Sequence, residues 1–189
     1  IRDRDWTFEK ADQADRLKAF YGNSDAVAVT LPHDAMIREK RDKECPAGAQ
    51  SGFYPGGVYT YEKSFLAPEE WKNQDVVLEF EGIYGTARVW INGALATVNR
   101  NGYMGFSVDL KPWICYGQEN LIKIDVDNSN QPNSRWYTGS GIYRDVNLWT
   151  GKGVYIPHDE MKITTLSVND DVAVVEVCAN VKNTNCLLY

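Results

Sequence analysis

Apolar and polar positions alternate along much of this chain. Val27, Val29 and Leu31 alternate with small or polar neighbours. Tyr59, Tyr61, Lys63 and Phe65 alternate with Thr60, Glu62 and Ser64, and Ile122, Ile124 and Val126 with Lys123 and Asp125. A period of two with one apolar face predicts half-buried strands. Residues 87–98 read as a hairpin, because Asn92-Gly93 supplies the two left-handed positions that a type I′ turn demands. Within it, Trp90 reads as an aromatic packed on its sheet. A second Asn-Gly pair, Asn101-Gly102, marks a turn before a strand over 106–110. Helical signal is thin: single turns at 68–71 and 111–114 and a short helix within 9–24. Short strands punctuated by turns every ~8–12 residues predict a sandwich or jelly roll. The connection from 32 to 57, rich in Gly, Pro and charge, is long, and connections beyond about 15 residues are usually functional or flexible.

The pattern changes after residues 149–153. Stretches 161–168 and 172–181 read as two strands around Asp170-Asp171, with Val175, Val177, Ala179 and Val181 on one face. An isolated hairpin is marginal in water. That face must lean on the first domain, on another chain or on sequence beyond Tyr189, so a cut-short chain is expected. The expected division is a first domain over 1–153 and a partial second one over 154–189.

Of the 189 residues 43% are hydrophobic and 24% charged, which supplies a core and argues against disorder. A net charge of −6 disfavours a nucleic-acid partner, since phosphate tracking needs a basic face. The basic run at 38–43 is interrupted by acids and reads as a solvated loop. No run of about 18 apolar residues occurs, so no membrane span is expected. The start is not a signal peptide, although one removed earlier stays open. Cys45, Cys115, Cys178 and Cys186 are widely spaced without a CxxC pair, and His33 and His158 are isolated. No metal site and no cofactor follow from them. Free thiols in a reducing compartment are the simplest reading, which favours the cytoplasm over the periplasm or secretion and leaves a disulfide open.

Four segments carry more specific information. They are Leu31-Pro32-His33-Asp34, the stretch from Gly56-Gly57 to Phe65 (GGVYTYEKSF), the stretch from Phe80 to Gly93 (FEGIYGTARVWING), and the stretch from Asn133 to Val146 (NSRWYTGSGIYRDV). In this order they resemble the sugar-binding domain of family 2 glycoside hydrolases, the β-galactosidase and β-glucuronidase family. The resemblance implies an all-β fold: a galactose-binding-like jelly-roll β-sandwich, followed by the first strands of an immunoglobulin-like sandwich. In the family a TIM barrel comes next. Its acid/base glutamate follows an asparagine, and no Asn-Glu dipeptide occurs in this chain.

Retaining glycosidases need two carboxylates about 5–5.5 Å apart. The pairs Asp3/Asp5, Glu69/Glu70 and Asp125/Asp127 read as solvated, so no catalytic residue is nominated. The substrate-binding candidates are Asn133, Ser134, Arg135 and Trp136, because the resemblance places this segment on a loop at the barrel's rim. Arg135 would offer donors to sugar hydroxyls, while Trp136 and Tyr137 would cover apolar C–H faces. Packing aromatics and a surface cation remain the structural alternative. Asp34 reads as a turn cap, and Arg144 and Asp145 as an ion pair or edge contact.

The resulting expectation is the non-catalytic N-terminal domain of a retaining hydrolase of terminal β-linked sugars, β-galactosides first, inactive alone. β-Glucuronide and β-mannoside enzymes share this domain. Its expected partners are carbohydrate and the absent immunoglobulin-like and barrel domains, with a homo-oligomer as a further option. A free-standing carbohydrate-binding module and a structural or oligomerisation domain are the competing readings.

Overall fold

The computed structural model describes residues 4–11, 26–157 and 160–183. The strands in chain order are β1 (Trp6–Ala11), β2 (Val27–Val29), β3 (Val58–Ala67), β4 (Asp75–Phe80), β5 (Ile83–Tyr84), β6 (Thr86–Ile91), β7 (Ala94–Asn99) and β8 (Phe106–Asp109). They continue as β9 (Gln118–Asp127), β10 (Gly141–Ile142), β11 (Val146–Gly151), β12 (Val154–Tyr155), β13 (Met161–Val168), β14 (Ala173–Ala179) and β15 (Lys182–Asn183). Six of them form one antiparallel sheet in the order β2-β1-β3-β9-β6-β7, and β11-β4-β8 form a second.

The alternation seen in the sequence decides which face of each strand is buried. Tyr59 and Tyr61 of β3, Val89 and Ile91 of β6, and Ile122, Ile124 and Val126 of β9 point into the space between the sheets. Val76, Leu78 and Phe80 of β4 close it from the other side, with Val108 and Val146. Each such fully buried side chain contributes about 1.5–3 kcal/mol. The molecule is therefore the all-β sandwich that the pattern predicts.

Local signals hold where neighbours in sequence are also neighbours in space. Asn92 and Gly93 take φ of 50° and 83°, the positive pair of a type I′ hairpin. Glu69–Asn73 form a single 3-10 turn after Pro68, with both acids in its first turn. Trp90 lies on the face of β6 opposite Val89 and Ile91, half-buried on the sheet. Lys63 keeps its place on the apolar face of β3 and is buried: its ammonium donates to the Arg4 carbonyl at 2.7 Å and lies 5.8 Å from the Trp6 ring.

The helix expected within 9–24 is not what its first residues form. Residues 9–11 are strand, paired with β3 through Glu9, Lys10 and Ala11. A cross-strand ladder on this segment outweighs its weak helical propensity. Residues 12–25 lie outside the described residues.

Beyond Gly151, β12 pairs with β15, and the Tyr155 hydroxyl reaches back to the Asp75 carboxylate at 2.5 Å. β13 and β14 form a hairpin with a bulge between Thr165 and Ser167. Its turn is Asn169–Val172, where the Asn169 side chain accepts from the backbone N–H of Asp171 and Val172. Ile163, Val168, Val174 and Val177 of this hairpin are exposed.

Candidate functional site

The motifs of residues 31–34, 56–65 and 133–146 converge at one end of the sandwich. Asn128, 2% exposed just past β9, is their meeting point. Its backbone N–H donates to the Gly57 carbonyl at 2.8 Å, and its side-chain amide donates to the Gly139 carbonyl at 3.3 Å and to the Met36 sulfur at 3.4 Å. Its side-chain oxygen accepts from Asn133 at 2.6 Å. Gly56, at φ 71°, is required here, because a Cβ would come within 2.6 Å of the Asn128 carbonyl.

Asp34 ties the second side of the loop. One carboxylate oxygen accepts the N–H of Met36 at 3.0 Å and of Ser140 at 3.1 Å, and the other accepts the Tyr137 hydroxyl at 2.5 Å. Backbone bonds from His33 to Ile142 and from Ala35 to Ser140 run alongside. Asp34 thus does cap a turn, as read from Pro-His-Asp, and it also orders a loop a hundred residues away. Burial first, then the bond to Asp34, pushes the Tyr137 phenol well above its ordinary range. His33 rests its Nδ1 2.9 Å from the Tyr61 hydroxyl, and burial followed by the nearby Arg38 charge lowers its pKa. Both groups are neutral near pH 7 and serve as fixed hydrogen-bonding parts.

The four candidates divide in this setting. Asn133 turns inward to Asn128, and the Ser134 hydroxyl donates to the Trp136 carbonyl at 2.5 Å, so both shape the loop. Arg135 is exposed and has no hydrogen-bond or ion-pair partner among the described residues. Trp136 is 66% exposed, its indole offered to solvent rather than to the core. The structural alternative of packing aromatics fits Tyr137 instead, whose ring lies 5.2 Å from that of Tyr54, which in turn carries the Arg41 guanidinium at 5.5 Å. Arg41 and Tyr54 bring a cation–π pair to this end of the sandwich that sequence reading missed; they sit in the long connection, where no periodicity marks them.

Other expectations are corrected. Arg144 and Asp145 form no ion pair, and of the two expectations the edge contact is the one found: the Asp145 carbonyl accepts the Glu81 N–H beside the β4–β11 pair, while the Arg144 guanidinium lies 5.4 Å from the centre of the Tyr143 ring. Asp125 and Asp127 are not simply solvated. Asp125 accepts the Thr60 hydroxyl at 3.0 Å, and the hydroxyl of Ser129 is the main force holding Asp127 below the usual carboxylate range. Asp3, His158 and Cys186 lie outside the described residues. Cys45, Cys115 and Cys178 are free thiols. Among the described residues no cluster of three His, Cys, Asp or Glu is placed to hold a metal ion.

Among the described residues, a cavity of about 570 Å³ opens on the surface at each of two places. One lies over the outer face of β4 and β11, against Trp149, Tyr155 and Lys182. The other adjoins the loop, with Asn133 in its wall beside Tyr84, Arg100 and Tyr103.

Known proteins resemble this chain in sequence and fold. The chain is 35% identical to the β-galactosidase BoGH2A of Bacteroides ovatus over 179 residues, which is 95% of this chain and 21% of that enzyme. It is 31% identical to a β-glucuronidase of Bacteroides fragilis, over 98% of this chain and 26% of that one. Among solved structures, a glycosyl hydrolase family 2 member from Bacteroides cellulosilyticus superposes with a TM-score of 0.84 at 30% identity, over 95% of this chain and 24% of its own. A β-glycosidase from Bacteroides vulgatus gives 0.83 at 34%, with the same coverage. This chain thus spans about a quarter or less of the length of each relative. Residues 48–152, more than half of the chain and including the loop held by Asn128 and Asp34, match the model for "Glycosyl hydrolases family 2, sugar binding domain". The chain belongs to that family, through its sugar-binding domain.

Proposed function

We propose that this chain is the N-terminal, non-catalytic domain of a retaining glycoside hydrolase that acts on terminal β-linked sugars, β-galactosides first. One observation carries the reading: Arg135, without a partner among the described residues, and a 66% exposed Trp136 are neighbours on a loop braced from beneath by Asp34 and Asn128. Fixing in advance the loop backbone that carries a guanidinium and an indole lowers the entropic cost of gripping a sugar. The β-galactosidase relative at 35% identity supports the substrate class, and the β-glucuronidase relative at 31% makes a β-glucuronide the second choice. In this reading residues 1–153 form the sugar-binding domain and 154–189 open an immunoglobulin-like domain, to which the exposed valines of β14 would belong. The two carboxylates of the chemistry would come from a barrel outside this sequence.

The test is an amide-resolved NMR titration of the chain with galactose, lactose and glucuronate at millimolar ligand. The loop at 134–138 should stay unperturbed, because the barrel completes this subsite, and the chain should not cleave an aryl β-galactoside. Saturable shifts at 134–138 that vanish in Trp136→Ala would instead make the chain a carbohydrate-binding module in its own right.

A further inference from the structure

We propose that the cavity between Tyr103 and Asn133 is a second carbohydrate subsite, holding one pyranose unit, and that it is complete within this chain. Only the choice of a sugar as ligand rests on the family reading above; the cavity itself does not.

Its volume of about 570 Å³ falls inside the ~300–1,000 Å³ range of small-molecule sites. Its wall combines the two surfaces that a sugar ring needs. Tyr103, 62% exposed, presents an aromatic ring to solvent while meeting the Tyr84 ring edge-on at 5.5 Å. Asn101, Asn130, Asn133 and Arg100 supply amide and guanidinium groups around it. A flat ring covers the C–H face of a pyranose at small entropic cost, and the amides match its hydroxyls as both donors and acceptors.

The platform is held in place before any ligand arrives. The Asn101 side chain accepts the N–H of Tyr103 at 3.0 Å and of Met104 at 3.3 Å, and the Tyr143 hydroxyl donates to the Gly102 carbonyl at 2.9 Å. Gly102 is fitted to this packing, since a Cβ there would come within 2.8 Å of the Tyr84 ring. The charge balance suits a polar ligand as well. Asp127, the carboxylate in the wall, already faces Arg88 at 3.8 Å and Ser129 at 2.6 Å, which leaves the Arg100 guanidinium without a partner among the described residues. Asn133 belongs both to this wall and to the loop of Arg135 and Trp136, so the subsite adjoins the proposed rim and would take a further unit of a longer glycan.

The experiment is an amide-resolved NMR titration of the 189-residue chain with lactose and with a β-glucuronyl disaccharide, in wild type, Tyr103→Ala, Tyr103→Phe and Trp136→Ala. Saturable millimolar shifts confined to residues 100–104, 130 and 133 are expected with at least one disaccharide. Tyr103→Ala should weaken them at least fivefold, Tyr103→Phe should keep them, and Trp136→Ala should not change them. Tyr103 is exposed enough for truncation to leave the remaining spectrum in place. A flat titration, or binding indifferent to Tyr103→Ala, overturns the subsite and leaves the reading of the Arg135–Trp136 loop untouched. Shifts at 134–138 abolished by Trp136→Ala, with none at 100–104, overturn it too and point to the independent module.

Discussion

The Tyr137 hydroxyl donates to the Asp34 carboxylate at 2.5 Å across 103 residues of sequence. That contact closes the loop of Arg135 and Trp136 onto the end of the 31–34 motif. The same carboxylate also takes two backbone N–H groups, so one side chain fixes both segments.

Asp34→Ala should therefore cost about 1.5–3 kcal/mol, the scale of hydrogen bonds to a charged acceptor. At this chain length that is a fall in Tm of roughly 2–4 °C per kcal/mol. Hydrogen exchange at Ser140 should speed up, while exchange in β9 stays slow. Unchanged exchange at Ser140 would show that the backbone bonds from His33 and Ala35 hold the loop without the carboxylate.

Gly139 and Gly93 separate conformational strain from collision. Both have positive φ, 69° and 83°, but a Cβ at Gly93 meets nothing within 4 Å, whereas at Gly139 it lies 2.8 Å from the Asp34 carboxylate. Gly93→Ala should cost about 1–2 kcal/mol from backbone strain alone. Gly139→Ala should cost clearly more, since Asp34 is pinned by three bonds and has no room to retreat. Chemical denaturation of the two variants checks the order.

Asn120 is a buried crosspiece behind the 92–93 turn. At 2% exposure its oxygen accepts from Cys115 N–H at 2.7 Å and Asn92 at 2.8 Å, and its amide donates to the carbonyls of Cys115 and Gln118. Asn120→Ala strands those groups and should destabilise by about 2–3 kcal/mol. Asn120→Asp should be no better, because it sets a carboxylate against the carbonyl oxygens of Cys115 and Gln118. Urea unfolding of both variants beside wild type measures this.

His33 gives stability a pH dependence. Its folded pKa lies below the ordinary 6.5, chiefly through burial. The unfolded chain therefore binds a proton before the folded one does. Stability is whole above 6.5, declines as pH falls through that value, and levels once the folded histidine also protonates. Between roughly pH 7.5 and 5.5 the Tm should fall, and His33→Gln should flatten that slope. Equal slopes in both proteins would assign the decline to other groups.

The sequence by itself determined what depends on near neighbours. Alternation of Tyr59, Tyr61 and Lys63, or of Ile122, Ile124 and Val126, settled which strand faces are buried, because successive side chains of a strand point to opposite sides. Asn92-Gly93 settled its own turn, since positive φ is a property of those residues. The four motifs carried the family. The tertiary structure alone decided what depends on distant segments. Nothing local tells that Glu9 to Ala11 find a partner in β3, that Asp34 waits for Tyr137, or that Arg144 turns to Tyr143 rather than to Asp145. The cavity beside Asn133 draws its wall from β5, the 100–103 loop and the segment after β9, three stretches well separated in sequence. Burial and hydrogen-bond pairing are long-range, and a residue type states what it can bond to but not what the fold brings within reach.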